Sequence, residues 1–154
     1  MIRLMGIVLF FLIICSCNTE VKTEINNSSS LPIEGTWRLV SGKVSTIKDT
    51  TYTDYTKGQE MIKILNKTHF AFLRHDLSGG KQPDAVYAAG GGTYKLEGNK
   101  YSEHLAFFND RNWENHDFHF TVEIKGDTLF QSGVEKIDSL GIDQVILETY
   151  VKVK

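Results

Sequence analysis

Two dipeptides, Gly98-Asn99 and Gly126-Asp127, set narrow limits on what this 154-residue chain can fold into. Each reads as a two-residue turn between alternating segments, the mark of a β-hairpin. Such a turn fixes the pairing parity, and parity decides which side chains share a face. Around the first turn, Glu97 pairs with Lys100, Leu96 with Tyr101 and Tyr94 with Glu103. One face then carries Tyr94, Leu96, Tyr101, Glu103, Leu105 and Phe107, and the other carries Lys95, Glu97, Lys100, Ser102 and His104. Around the second, Ile124 pairs with Leu129 and Val122 with Gln131. That register gathers Phe118, Phe120, Val122, Ile124 and Leu129 inward, and brings Gln131 with them.

The same alternation predicts eight strands, at about 36–46, 60–65, 69–75, 91–97, 100–108, 117–125, 128–133 and 144–153. The stretch from Asp49 to Gln59 is expected to hold at most a turn or two of helix. A loop of Asn66-Lys67-Thr68 places Ile62, Ile64, Phe70, Phe72 and Arg74 inside, whereas a two-residue loop there reverses that register. The fold class is all-β. Eight antiparallel strands in chain order close most simply as an up-and-down barrel, which leaves no exposed edge and room inside for packed side chains or one small ligand. A sandwich of the same strands is the alternative.

The N-terminus points to export. One charge at Arg3 precedes the apolar run Ile7 to Ile14, which is too short for a permanent span. Ile14-Cys15-Ser16-Cys17 resembles a bacterial lipobox, which implies cleavage before Cys17 and acylation of that residue. Several acyl chains on one residue anchor a protein stably. Residues 1–16 are thus expected to be a lipoprotein signal peptide, 17–32 the lipidated cysteine and a polar tether, and 33–154 a single domain. Asn18 stands where an aspartate commonly marks inner-membrane retention, so the expected location is the cell envelope, at the outer membrane. Both cysteines lie in the signal region, leaving the domain no disulfide. With 17 Lys and Arg against 19 Asp and Glu, the chain has no basic face for nucleic acid.

The first strand opens Ile33-Glu34-Gly35-Thr36-Trp37-Arg38-Leu39-Val40. Gly35-Thr36-Trp37 resembles the Gly-x-Trp signature of the lipocalins, in which the tryptophan plugs the closed end of the barrel. The wider segment, with Ala89 to Tyr94, Tyr101 to His104 and Leu147 to Lys152, is similar to the lipocalin-like envelope lipoproteins of Gram-negative bacteria. That resemblance implies a fold and a compartment more than an activity. It also makes Lys152 the match for the basic residue that lies across the tryptophan.

Polar residues on an inner face carry the functional signal, because burying them unpaired is costly. Arg74, Glu103 and Gln131 fall there, with the hydroxyls of Tyr94 and Tyr101. Glu148 and Tyr150 join them if Lys152 reaches Trp37. One reading is a small-molecule pocket with an apolar wall and a few placed polar groups. The other is a solid core closed by an Arg74–Glu103 or Lys152–Glu148 pair, with the rim loops carrying protein interactions. No cofactor motif and no catalytic constellation is apparent. Gly90-Gly91-Gly92 lacks the ending of a phosphate loop and fits a sharp bend or a close backbone approach. His116 and His119 fall on opposite faces of a strand. His104 and His119 both point outward on neighbouring strands and could approach each other, but with no cysteine and no acidic ligand pattern beside them, surface histidines are expected rather than a metal site. The loops 76–84 and 109–115 form the expected rim, with Trp113 either covering a ligand or packing on the barrel. The expected partner is a small apolar or amphipathic ligand, with the membrane reached through the lipid anchor.

Overall fold

The computed structural model describes residues 31–83 and 85–154, so the expected signal peptide, Cys17 and most of the expected tether lie outside the described residues. Nine strands follow in order: β1 (Gly35–Ser45), β2 (Thr50–Asp54), β3 (Gln59–Leu65), β4 (His69–Asp76), β5 (Tyr87–Glu97), β6 (Lys100–Phe108), β7 (His116–Lys125), β8 (Thr128–Ile137) and β9 (Ile142–Lys152). From β3 to β9 each strand pairs antiparallel with the next, and β1 pairs with both β3 and β9. The ring is therefore closed: eight strands form an up-and-down barrel, and β2 is an addition to it. A layered sandwich is excluded.

The ninth strand corrects the expectation of a helical turn between Asp49 and Gln59. β2 pairs with Ser41–Ser45 of β1, and β3 pairs with Gly35–Arg38. Both run antiparallel to β1, so β2 and β3 follow the same course, interrupted at Tyr55–Gly58. Tyr55 fills the break. Its N–H donates to Val40 O at 3.0 Å, and its ring lies so close to Gly42 that a Cβ there would meet it at 3.0 Å.

Both hairpins have the expected register, with Leu96 opposite Tyr101 and Ile124 opposite Leu129. The β3–β4 register is the reverse of the one that a three-residue loop gives. The Asn66 carboxamide oxygen accepts the N–H groups of Thr68 and His69 at 2.9 and 2.8 Å, and Asn66 N–H donates to His69 O at 3.0 Å. The tight turn is therefore Lys67-Thr68, and Leu65 stands opposite Phe70. Met61, Lys63 and Leu65 face inward in place of Ile62 and Ile64. An isoleucine pair stays outside while a lysine enters the core at 3% exposure.

A second correction concerns Phe107. The β5–β6 register slips between Gly91 and Gly92, so that Gly92 faces Leu105 and Gly91 faces Phe107. The extra residue, Ala106, makes a β-bulge that exchanges the two sides of the strand beyond it. Phe107 is turned out at 71% exposure, and Phe108 packs against the core instead. The three glycines make this possible. A Cβ at Gly92 would overlap the His104 carbonyl oxygen, and one at Gly90 would press on Phe107 O and the Phe72 ring.

One end of the barrel is plugged. Trp37 is 1% exposed, its indole N–H donates to Ile33 O at 2.7 Å, and Lys152 Nζ stands 5.1 Å from the centre of its ring. Leu39, Leu65, Phe70, Val122, Leu129 and Tyr150 belong to the same buried core as Trp37. Each large side chain so buried contributes about 1.5–3 kcal/mol. The interior above is crossed by an unbroken series of aromatic contacts from Tyr94 through Tyr101, Phe120, Phe118, Trp113 and Phe108 to Phe72.

Candidate functional site

Above the plug the barrel holds a cavity of about 280 Å³. Ligand pockets run from about 300 to 1,000 Å³, so this one lies just under the small end of that range. Its apolar wall includes Met61, Phe72, Leu105, Phe118 and Phe120, continued by Phe108 and Trp113, with Asp110 also on the wall. Its polar groups are Lys63, Glu103, Gln131, Glu135 and Glu148, with Tyr150 beside them.

Lys63 is the centre of the polar cluster. Its ammonium lies 2.5 Å from Glu103 Oε1 and donates to Gln131 Oε1 at 2.8 Å. The rings of Tyr101, Phe70 and Tyr150 surround it, with centres 5.2, 5.4 and 5.9 Å away. The Tyr101 hydroxyl donates to the same Glu103 oxygen at 2.6 Å, and burial together with that carboxylate pushes the phenol far up. Bringing two charges into such a place is offset only when geometry and hydrogen bonds are good. Here every polar partner is supplied, and no buried side-chain polar atom among the described residues lacks one.

Two further carboxyls sit on β8 and β9. The Tyr150 hydroxyl donates to Glu148 Oε2, and the Gln144 amide donates to Glu135 Oε2, each at 2.7 Å. Burial raises both acids: Glu148 moves up against the pull of Lys63, and Glu135 is pushed up to about 7. An acid raised on folding favours its neutral form in the native state. The stability this gives is full below the unfolded value near 4.5 and disappears as pH rises through about 7. Glu135→Gln is therefore expected to remove about 1–2 kcal/mol of the fall in stability between pH 5 and pH 8, allowing for solvent near the carboxyl. Urea midpoints of the two proteins at both pH values check this. An unchanged slope would leave Glu135 without the burial ascribed to it.

The sequence-derived residues divide into three groups. Glu103, Gln131, Glu148 and Tyr150 come together on the cavity wall. Trp37, Tyr94 and Tyr101 support it: Trp37 in the plug, Tyr101 holding Glu103, and Tyr94 tilted against Tyr101 with its hydroxyl donating to Asn66 O at 2.5 Å. Arg74 stands apart. Its Nε donates to Gln59 Oε1 at 2.8 Å and its guanidinium lies 5.1 Å from the Tyr55 ring centre, so it seals the wall where β1 and β3 separate. Neither an Arg74–Glu103 nor a Lys152–Glu148 pair forms. The partner of Glu103 is Lys63, whose inward position follows from the Asn66 turn. Glu135 lies beyond the expected end of its strand at 133.

Trp113 packs on the barrel and lines the cavity at once. Asp110 Oδ1 caps the short 3-10 helix Arg111–Trp113 by accepting Asn112 N–H. Phe108 N–H and Arg111 Nε donate to the two Glu114 oxygens at 2.9 and 2.7 Å. Asn115, at φ 63°, turns the chain back to Leu105 O. The indole is held edge-on to Phe108 and tilted on Phe118. The other rim loop is gathered by Asp76, whose carboxylate accepts from the Ser78 hydroxyl, Gly80 N–H and Val86 N–H and is drawn down to about 2 chiefly by Ser78.

The histidines make surface contacts, His104 with Asp117 at 2.9 Å and His119 with Ser102 at 3.0 Å. Among the described residues no group of three potential metal ligands converges. No protein family, no curated protein and no solved structure matches the chain.

Proposed function

We propose that this chain is a lipid-anchored envelope protein of lipocalin-like type that holds a small, partly apolar ligand inside its barrel. The cavity carries this reading. It combines an aromatic wall with a compact set of charged and amide groups at fixed positions, and these are the ingredients of small-molecule recognition. A solid-core module acting through its rim would be expected to fill that space with side chains. The plugged end, with Lys152 across Trp37, fits the lipocalin resemblance of Gly35-Thr36-Trp37. Cys17 provides the anchor and residues 18–32 the tether, placing the barrel at the outer membrane.

Native mass spectrometry of the full chain isolated from its own host tests the binding reading. A small molecule that stays bound and is released on activation is the expected result. Repeated emptiness together with a stoichiometric protein partner would overturn it. Anchoring has a separate test: incorporation of an alkyne-tagged fatty acid that disappears in Cys17→Ala. Labelling that persists in that variant would contradict lipidation at Cys17.

A further inference from the structure

The cavity wall is short of positive charge. It carries one ammonium, Lys63, against the carboxyls of Glu103, Glu135 and Glu148, with Asp110 as a fourth at the side of Trp113. Lys63 is already matched. Its Nζ is engaged by Glu103 at 2.5 Å and Gln131 at 2.8 Å, and three rings enclose it. Arg74 does not line this cavity and lies against Gln59 and Tyr55.

Glu135 and Glu148 are met differently. Each accepts a hydrogen bond from a neutral donor, Gln144 Nε2 and the Tyr150 hydroxyl, on one oxygen. A carboxylate has two oxygens and about four acceptor sites, so each retains capacity for a further donor. The two residues come from the paired strands β8 and β9, on the same side of the cavity as Gln131, whose register partner is Glu148. The rest of the wall is aromatic, and ring faces attract cations as well as apolar bodies.

On the reading that the cavity holds a ligand, we infer that its occupant is an organic amine: a cationic nitrogen for the carboxyl-rich β8–β9 side, where Glu135 and Glu148 line the wall, joined to an apolar body of about one ring for the aromatic wall. An acidic or phosphorylated ligand would bring its charge among three carboxyls and would have to displace Glu103 from Lys63. A neutral ligand would leave the three carboxyls with Lys63 as their one cationic neighbour on the cavity wall.

Three probes of one shape separate these cases: 2-phenylethylamine, 2-phenylethanol and 3-phenylpropanoate, each titrated at pH 8 into the full chain by calorimetry. The amine is expected to bind about tenfold more tightly than the alcohol, the difference a charge-assisted hydrogen bond makes, and the carboxylate most weakly. In Glu135→Gln/Glu148→Gln, which keeps shape and one acceptor oxygen on each side chain, the amine should lose about tenfold and the alcohol should be unchanged. The series in the unmodified chain stands even if that variant fails to fold. Alcohol or carboxylate binding as tightly as the amine would overturn the assignment of charge while leaving the cavity as a binding site. Failure of all three up to millimolar concentration would overturn the binding reading itself.

Discussion

Lys63→Met is expected to lose about 3–5 kcal/mol of folding stability, far more than the packing of a lysine stem would explain. The residue is 3% exposed, and Glu103, 8% exposed, has it as a partner at 2.5 Å. Removing the ammonium leaves a carboxylate inside the barrel with only the Tyr101 hydroxyl to hold it, and Gln131 loses its donor at the same time. The loss is then a desolvation penalty rather than the value of a contact. A double change, Lys63→Met with Glu103→Gln, should recover most of it, because no unpaired charge remains. Urea unfolding of the two single variants and the double variant measures the coupling. A single-variant loss below about 1 kcal/mol, or no recovery in the double, would mean that the pair is wetter than its burial implies.

The second large effect belongs to the bulge. Gly92→Ala is expected to cost on the order of 4 kcal/mol or more, enough to leave little folded protein. The added methyl would occupy the position of the His104 carbonyl oxygen and press on Ala106 N, both backbone atoms of the adjacent strand. Nothing there can turn aside as a flexible side chain would. Gly79→Ala provides the control: its φ of +66° favours glycine, but open space surrounds it. That substitution should cost about 1 kcal/mol. Thermal melts of the two variants settle the comparison, and equal losses would show that the bulge relaxes freely.

These two positions also mark where sequence reasoning succeeds and where it fails. Turns of two residues with glycine first, at 98–99 and 126–127, fix parity outright, and that parity sends Glu103 and Gln131 inward, where both are buried. Closure of the barrel follows from strand number and order. Around residues 66–69 the strand boundary is ambiguous, and hydrophobicity argues for the wrong parity, because Ile62 and Ile64 outvote Lys63. The signal for the right one is local: Asn66 can accept two backbone N–H groups ahead of it and close the turn around Lys67-Thr68. A bulge adds one residue without changing the composition of a strand, so alternation alone carries Phe107 inward when Phe108 is the residue that packs there. Glu135 escapes the alternation pattern for another reason. β8 continues to Ile137, four residues past the expected end at 133, and Glu135 shares the inner parity of Gln131. The conserved parity along one strand therefore links an expected site residue to an unexpected one.

On the proposed reading, the two raised acids would tie stability to binding. Glu135 charges as pH rises through about 7, which weakens the fold by the sign worked out above while making the cavity more attractive to a cation. An occupant that supplies the counter-charge would restore what ionisation removes, so bound and empty protein should differ most in stability on the alkaline side.

The central claim is that the space inside the barrel is the working site, and filling it is the most direct test. Leu105 lines the cavity and is 5% exposed. Leu105→Trp puts a larger side chain into open volume, where overpacking should cost no more than about 1–3 kcal/mol. The measurement is the fraction of protein carrying a bound small molecule, for this variant and the unmodified chain, when both are isolated from the host and weighed intact. A folded variant that has lost its bound mass is the expected result. A folded variant that retains the same molecule at the same occupancy would place the binding elsewhere and contradict the assignment.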